Sequence, residues 1–488
     1  MRKTVKDFLF TGLVVGFANV VLFLMLAHTA DAMPNFSRRY QTSCVTCHST
    51  YPILNPVGDA FRLNGYRFED DEQYVKEPPT ELGDEAYKKL WPNAMWPGEI
   101  PNNSGFSAGA RMYAEVDVGD ESDTRESNVS FIFPHEAELA WAGNLGEGLS
   151  AYGDMIFVQE DYGSKDTVSW LMAKAWIELA DLVGPENAVN LRVGSLGMHT
   201  IGLYTSKDEQ RMGLQYYIIN SWALPDIKLE KSPGLVAFTG NTFTHQPQLG
   251  VEVSGFGKSW LYYVGVVNGN IDRDPGDVYF MGVGKNTDTK DYYGGFAWKI
   301  GGMGFDGTNA KTDNPLSNAE YWRDDSLTLS VFGYTGTARI EVEYDDPAQT
   351  VTQSDDDFWR LSIGARERYR DLTLLVGYQW AHDDNPYGTL WNNDMDATVW
   401  FVEAQYFVYP WLIPYARYEE LDFDNIPVTA QGDPVLIEDK QDINVATFGV
   451  KAHLRANVHI TAEYQDVVDR DFVSATDEVA YLQLMFFF

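Results

Sequence analysis

Both cysteines of this 488-residue chain fall within one pentapeptide, Cys44-Val45-Thr46-Cys47-His48. Two thiols one helical turn apart, followed at once by an imidazole, are the donors that covalent attachment of a c-type haem requires. The thiols take up the two vinyl groups and the imidazole binds the iron. Cys44 and Cys47 are read here as attachment points and His48 as the proximal iron ligand, with one covalently bound haem c per chain. A disulfide or a zinc site uses the same residue types, but no cysteine is left over for any other bridge.

The elements around the motif follow from local signals. Asn55 before Pro56 is a helix start, a capping side chain followed by a ring that needs no donor in the first turn, and Gly65 is a stop. Between them Val57, Ala60, Phe61 and Asn64 share one helical face, suited to a haem edge or to packing on neighbouring loop and barrel residues. Upstream, residues 1–32 carry Arg2, Lys3 and Lys6, an apolar run from Phe8 to Ala27, and Ala30-Asp31-Ala32. That pattern predicts an export signal cleaved after Ala32; the alternative is an uncleaved anchor. The expected organisation is a signal over 1–32, a small, mostly helical monohaem cytochrome c segment over 33–70, an acidic proline-rich linker over 71–104, and a barrel over 105–488.

The remainder is aromatic, with 27 Phe, 28 Tyr and 14 Trp, yet has no long apolar run, so its hydrophobicity is spread over short segments. From about Gly105 the pattern has a period of two. Val458, Ile460, Ala462 and Tyr464 alternate with His459, Thr461, Glu463 and Gln465, apolar toward lipid and polar toward a lumen. Arg111, Tyr113, Glu115 and Asp117 interleave with Ala110, Met112, Ala114 and Val116, and Lys174, Trp176 and Glu178 with Ala173, Ala175, Ile177 and Leu179. Ala480, Leu482, Leu484, Phe486 and Phe488 form one apolar face that ends in Phe, as in outer-membrane barrels. The fold class is therefore all-β, an antiparallel outer-membrane β-barrel. Short turns near 144–148, 182–187, 256–258, 370–371, 409–411 and 454–457 alternate with longer acidic connections near 119–128, 160–167, 270–290, 336–355, 383–395, 422–440 and 469–477. With 197–246 one external connection and 302–324 a periplasmic one, sixteen strands result; strand-like pieces in 212–241 give eighteen as the alternative. The formal charge of −35, near −36 without the leader, excludes nucleic acid as a partner by repulsion.

No histidine lies between the haem motif and the barrel. Met95, with Trp91 and Trp96 nearby, is the first candidate for the distal iron ligand, and His199, on the large connection, the second. His135 faces lipid unless Pro134 introduces a bulge, while His453 and Met485 point inward near the periplasmic rim. An open sixth position is the remaining option.

Met33-Pro34-Asn35-Phe36-Ser37-Arg38, Cys44-Val45-Thr46-Cys47-His48, Pro52, Leu54-Asn55, Gly58, Phe61-Arg62 and Gly65-Tyr66 together resemble the N-terminal signature of the fused monohaem cytochrome–porins. Leu191-Arg192-Val193-Gly194, Gly250-Val251-Glu252-Val253-Ser254-Gly255 and Asn268-Gly269 resemble recurrent pieces of phosphate-selective-type porins. The chain departs from the family pattern at Val57-Gly58-Asp59, where an aromatic, a glycine and a basic residue are expected. The best-known members are outer-membrane iron oxidases. The resemblance implies an outer-membrane protein that passes electrons from an extracellular donor such as Fe(II) to a periplasmic c-type cytochrome, with its haem at the periplasmic side or within the lumen. Loops carrying Asp272, Asp274, Asp277, Asp355, Asp356 and Asp357 would concentrate a divalent cation, or are simply a solvated, lipopolysaccharide-facing surface. The rival readings are a solute porin, a partner barrel of a conduit with an accessory haem, and a haem peroxidase.

Overall fold

The computed structural model describes residues 35–50, 53–68, 80–81, 99–100, 105–117, 129–146, 148–162, 165–196, 212, 248–268, 290–308, 320–342, 352–385, 394–424, 426–430, 433–437, 441–455, 458–470 and 478–487. Alternation of apolar and polar residues builds long strands: β1 (Gly105–Asp117), β2 (Val129–Gly146), β3 (Leu149–Tyr162), β4 (Lys165–Leu179), β5 (Asn190–Leu196), β6 (Gln248–Phe256), β7 (Trp260–Val267) and β8 (Asp291–Gly301). They continue as β9 (Ser326–Val342), β10 (Thr352–Tyr369), β11 (Leu372–Asp383), β12 (Met395–Tyr406), β13 (Leu412–Phe423), β14 (Gln441–Arg455), β15 (Val458–Arg470) and β16 (Glu478–Phe487). Among the described residues these sixteen pair in sequence order and close on themselves. Closure runs from Phe487 opposite Gly109 to Val479 opposite Asp117. Closing the sheet leaves every interior strand edge paired, which is what a strand-built membrane span requires.

The two faces separate as the alternation demands. Val264 is 62% exposed and Phe448 56%, with Trp298, Ile300, Ile363 and Val376 on the same outer surface. His459, Thr461, Glu463 and Gln465 are buried on the inner face, as are Lys174, Trp176 and Glu178, while Ile177 and Leu179 are exposed outside. Deeper along the lumen the inward side chains are also enclosed: Phe401 is 1% exposed and Glu419 0%, with Glu252, Val399 and Glu403 equally buried. Charges there are compensated in pairs, Arg192 with Glu178 at 2.7 Å, Arg360 with Asp383 at 2.8 Å and Arg417 with Glu419 at 2.7 Å. Pairing is what makes an ion tolerable away from water.

Connections at one end are short apart from the one between Gly301 and Ser326, and those at the other are mostly long, but several differ in extent from expectation. Strands β3 and β4 pair out to Tyr162 and Lys165, so the connection expected over 160–167 is mostly strand. Strands β9 and β10 pair out to Val342 and Thr352, which absorbs much of the loop expected over 336–355. Within 422–440 a separate hairpin pairs Ile426–Ala430 with Asp433–Ile437. Apart from Met212, the stretch 212–241 that suggested two further strands lies outside the described residues; β5 and β6, which flank it, pair directly with each other.

The N-terminal segment comprises helix α1 (Asn35–Tyr40), a tight turn at Cys44–Thr46, a small ribbon pairing His48–Thr50 with Ile53–Leu54, and helix α2 (Pro56–Leu63). It sits inside the mouth of the barrel at the short-turn end. Its buried residues form common clusters with wall residues: Val57, Phe61 and Tyr66 with Trp176 and Tyr263, Ile53 with Ile413 and Tyr415, and Leu63 with Phe256 and Leu261. The expected linker over 71–104 is described only at two short strands, Thr80–Glu81 and Glu99–Ile100, paired with each other.

Candidate functional site

The motif turn is wound tightly enough to present its two cysteines from a single turn. The Cys47 N–H donates to the Cys44 carbonyl at 3.2 Å and the Thr46 N–H to the Ser43 carbonyl at 3.0 Å. The Thr42 and Thr46 hydroxyls meet at 2.6 Å, and Ser37 Oγ lies 3.8 Å from Cys44 Sγ. Both cysteines are free thiols. Burial raises both: the Cys44 thiol lies above its ordinary value, and that of Cys47 is pushed up to about 12, with the neighbouring Cys44 adding to the shift. His48 follows at the start of the ribbon, part-buried, with its backbone opposite Leu54. Two unbonded thiols from one turn and an adjacent imidazole fit the donor set of a covalently attached haem.

Asn55 holds this turn to the helix that follows. It is fully buried, and its side-chain amide donates to the carbonyls of Val45 at 3.1 Å and Thr46 at 3.0 Å. Its Oδ1 accepts from the Gly58 N–H at 2.9 Å as the cap of α2, and its own N–H donates to the Cys47 carbonyl at 3.0 Å. Sequence reasoning found the cap and missed the clasp, which needs the motif carbonyls to be brought back over the helix start. Gly58 is set by the same approach: a Cβ there would stand 2.0 Å from the Cys47 carbonyl oxygen. Only glycine leaves room for that backbone contact.

Asp59 points into the barrel wall. Its Oδ2 lies 3.1 Å from Arg366 and 3.6 Å from Arg368, all three side chains being buried. Arg368 also donates to the Leu54 carbonyl at 2.8 Å, so two arginines of β10 grip both the ribbon and the helix. The apolar helix face packs on neighbours: Phe61 meets Phe36, Tyr40 and Phe68 with centroids 4.9–5.7 Å apart. Tyr66 stacks toward Tyr152 and Trp176, and the Arg192 guanidinium lies 4.1 Å from the Trp176 ring centre. Gly65, at φ +67°, turns the chain between these contacts, its position close to Ser150.

On the other side Val45 packs against the cluster of Tyr321, Trp322, Phe407 and Ile413. The connection carrying Tyr321 and Trp322 is itself clamped to the β10–β11 turn. Trp322 Nε1 and Arg323 Nε donate to Asp371 Oδ1 at 2.9 and 2.8 Å, and Arg323 Nη2 donates to Oδ2 at 2.9 Å. Trp322 and Arg323 together hold the Asp371 carboxyl below its ordinary range.

Cys44, Cys47 and His48 are thus brought together at the short-turn mouth. Met95 and His199 lie outside the described residues, as do Asp272, Asp274 and Asp277. His135 falls on β2. His453 and Met485 are inward-facing near the rim; His453 Nε2 lies 2.8 Å from Thr50 Oγ1, and Met485 is buried. Asp355, Asp356 and Asp357 are not in a loop. They lie on β10, where Asp356 turns inward, fully buried, and accepts from the Asn385 N–H at 2.8 Å. Among the described residues no group of three or more His, Cys, Asp or Glu is placed to hold a metal ion.

The chain matches no family model and no curated protein. Among solved structures it is similar to an anion-selective porin from Comamonas acidovorans, at 11% identity and a TM-score of 0.46, covering 79% of this chain and 100% of that one. It is also similar to the outer membrane channel DcaP of Acinetobacter baumannii, at 11% identity and 0.44, covering 79% and 97%. A loop-deletion variant of OmpT, an outer membrane protein of Vibrio cholerae, aligns at 13% identity and 0.44, covering 79% and 99%.

Proposed function

We propose that this protein is an outer-membrane cytochrome–porin that moves electrons between an extracellular donor, ferrous iron being the first to test, and a periplasmic c-type cytochrome. The observation that carries the reading is a Cys44-Val45-Thr46-Cys47-His48 turn held inside the mouth of a barrel in which described inward side chains such as Phe401 and Glu419 are enclosed. The donor set suits haem attachment, and a haem supplies one-electron redox chemistry there when bound. Cys44 and Cys47 would fix the porphyrin and His48 would ligate the iron. Asn55 and Gly58 keep the turn in one place, and Asp59 with Arg366 and Arg368 fixes it to the wall. A redox centre so anchored keeps a constant distance to its partners.

The outer surface of Val264, Trp298, Ile300 and Phe448 suits lipid, and the short-turn end suits the periplasmic side of an outer-membrane barrel. Enclosed lumenal residues such as Phe401, Glu403 and Glu419 favour a conduit over an open solute channel. The test is anaerobic mixing of the oxidised, haem-loaded protein with ferrous iron, following the haem absorbance by stopped flow. Fast stoichiometric reduction supports the iron-oxidising conduit. A haem that stays oxidised until dithionite is added rejects ferrous iron as donor.

A further inference from the structure

We infer that the second axial ligand of a haem held at His48 is His453, supplied by the barrel wall, with His459 as the residue that positions it. The inference rests on the haem reading of Cys44, Cys47 and His48 and narrows it to one coordination. His453 is on β14, whose odd-numbered residues face the lumen: Ile443, Val445, Thr447 and Lys451 are all buried. Its Nε2 edge meets the segment that carries the motif, 2.8 Å from the Thr50 hydroxyl, two residues beyond His48 on the same ribbon strand. Ligation would take this nitrogen from the Thr50 hydroxyl, a neutral partner, so the ribbon and the imidazole must part to admit the haem.

The wall around His453 is organised behind it. His459, on β15, is its cross-strand partner, with ring centres 4.4 Å apart, and is 2% exposed. Met485, on β16, stands opposite His459 and is also buried. The row His453, His459, Met485 thus places two imidazoles and a thioether side by side on the inner face at the level of the motif. His453 leads the row because its Nε2 reaches the motif ribbon at Thr50. His382 is the other histidine whose side chain is described. It lies at the long-loop end, 2.7 Å from Asp396 and 2.8 Å from Asp384, far along the barrel from His48. A wall ligand would also give the anchoring by Asp59 and Arg366 a purpose, since coordination by two separate parts of the chain needs both held in register.

The test uses the full-length protein from a host with haem-attachment machinery. Covalent haem is measured on the denatured chain, folding by heat-modifiable migration, and iron coordination by absorbance and low-temperature electron paramagnetic resonance of the ferric state. Wild type should be low-spin with two imidazole ligands. His453→Ala should keep its covalent haem, become high-spin, and return to low-spin on adding imidazole. His453→Met should show the methionine–iron charge-transfer band and a raised midpoint potential, a readout that stands even if the alanine variant folds poorly. His459→Ala should retain covalent haem and low-spin iron but shift the g values and the midpoint potential, and values identical to wild type would remove its positioning role. Covalent haem with an unchanged low-spin spectrum in both His453 variants, or a high-spin wild type, overturns the assignment and leaves the haem reading intact. No covalent haem in wild type overturns both.

Discussion

Asn55 carries more of the site than its size suggests, because one fully buried side chain satisfies two carbonyls of the motif turn and caps α2. Removing it leaves the Val45 and Thr46 carbonyls without these donors and Gly58 N–H without its acceptor. Asn55→Ala should therefore cost the segment about 1–3 kcal/mol, seen as earlier proteolysis of residues 35–68 in a urea series. Asn55→Asp keeps the cap acceptor but turns a buried carboxylate oxygen toward both carbonyls, so it should cost at least as much as alanine; equal behaviour of Asp and wild type would show that the clasp contributes nothing. At the same scale, the Cys47 thiol is pushed up to about 12 by burial. The thiolate is the nucleophile, so in haem-free protein at neutral pH alkylation of Cys47 should be slow and should rise about tenfold per pH unit until the thiol itself titrates. Fast labelling of native Cys47 at neutral pH, read by mass spectrometry, would contradict this burial.

Helix α2 was legible because its boundary signals are local: Asn55 caps it, Pro56 opens it and Gly65, at φ +67°, ends the turn after it. What fastens it to the barrel was not legible, since Asp59 and Arg366 are 307 residues apart and nothing in either neighbourhood announces the other. Breaking one side of a buried pair leaves the partner charge stranded, so Asp59→Asn should weaken docking of the segment by about 3–5 kcal/mol. Trypsin access at Arg62 and Arg67 measures it, and unchanged protection would mean that the aromatic contacts of Phe61 and Tyr66 hold the segment without the ion pair. The acidic run at Asp355–Asp357 misled for a related reason. Clustered charge suggests a loop, whereas alternation continues through it and Asp356 faces inward. The clamp on Asp371 gives an element-scale pH dependence. Its carboxyl is held low by Trp322 and Arg323, so the clamp is in place above the ordinary carboxylate value of about 4 and is lost as pH falls through the lowered value. Hydrogen exchange around 320–325 should rise only in acid, and Asp371→Asn should remove that pH step.

At the scale of the whole molecule, the strand pattern predicts a closed barrel but not what fills it. Alternation reports which residues turn inward and is blind to whether they then meet water, an ion partner or another segment of chain. Glu403, Arg417 and Glu419 illustrate this: they turn inward as polar residues of a barrel do, yet all three are buried and both carboxylates pair with Arg417. A barrel of this strand number is wide enough to conduct ions when its lumen holds water. Reconstituted into planar bilayers, the intact protein should therefore show conductance well below that of an open porin of equal strand number. Loosening the plug with Asp59→Asn should leave that conductance low, because the enclosed middle stays in series with the short-turn mouth; a large rise would mean that the N-terminal segment alone closes the barrel. Electron transfer provides the opposing readout on the same preparation. If ferrous iron supplied only on the long-loop side reduces the haem quickly while the barrel remains non-conducting, electrons cross the barrel and solute does not. High conductance from the intact, haem-loaded protein would instead make the barrel a solute path and reduce the haem to an accessory.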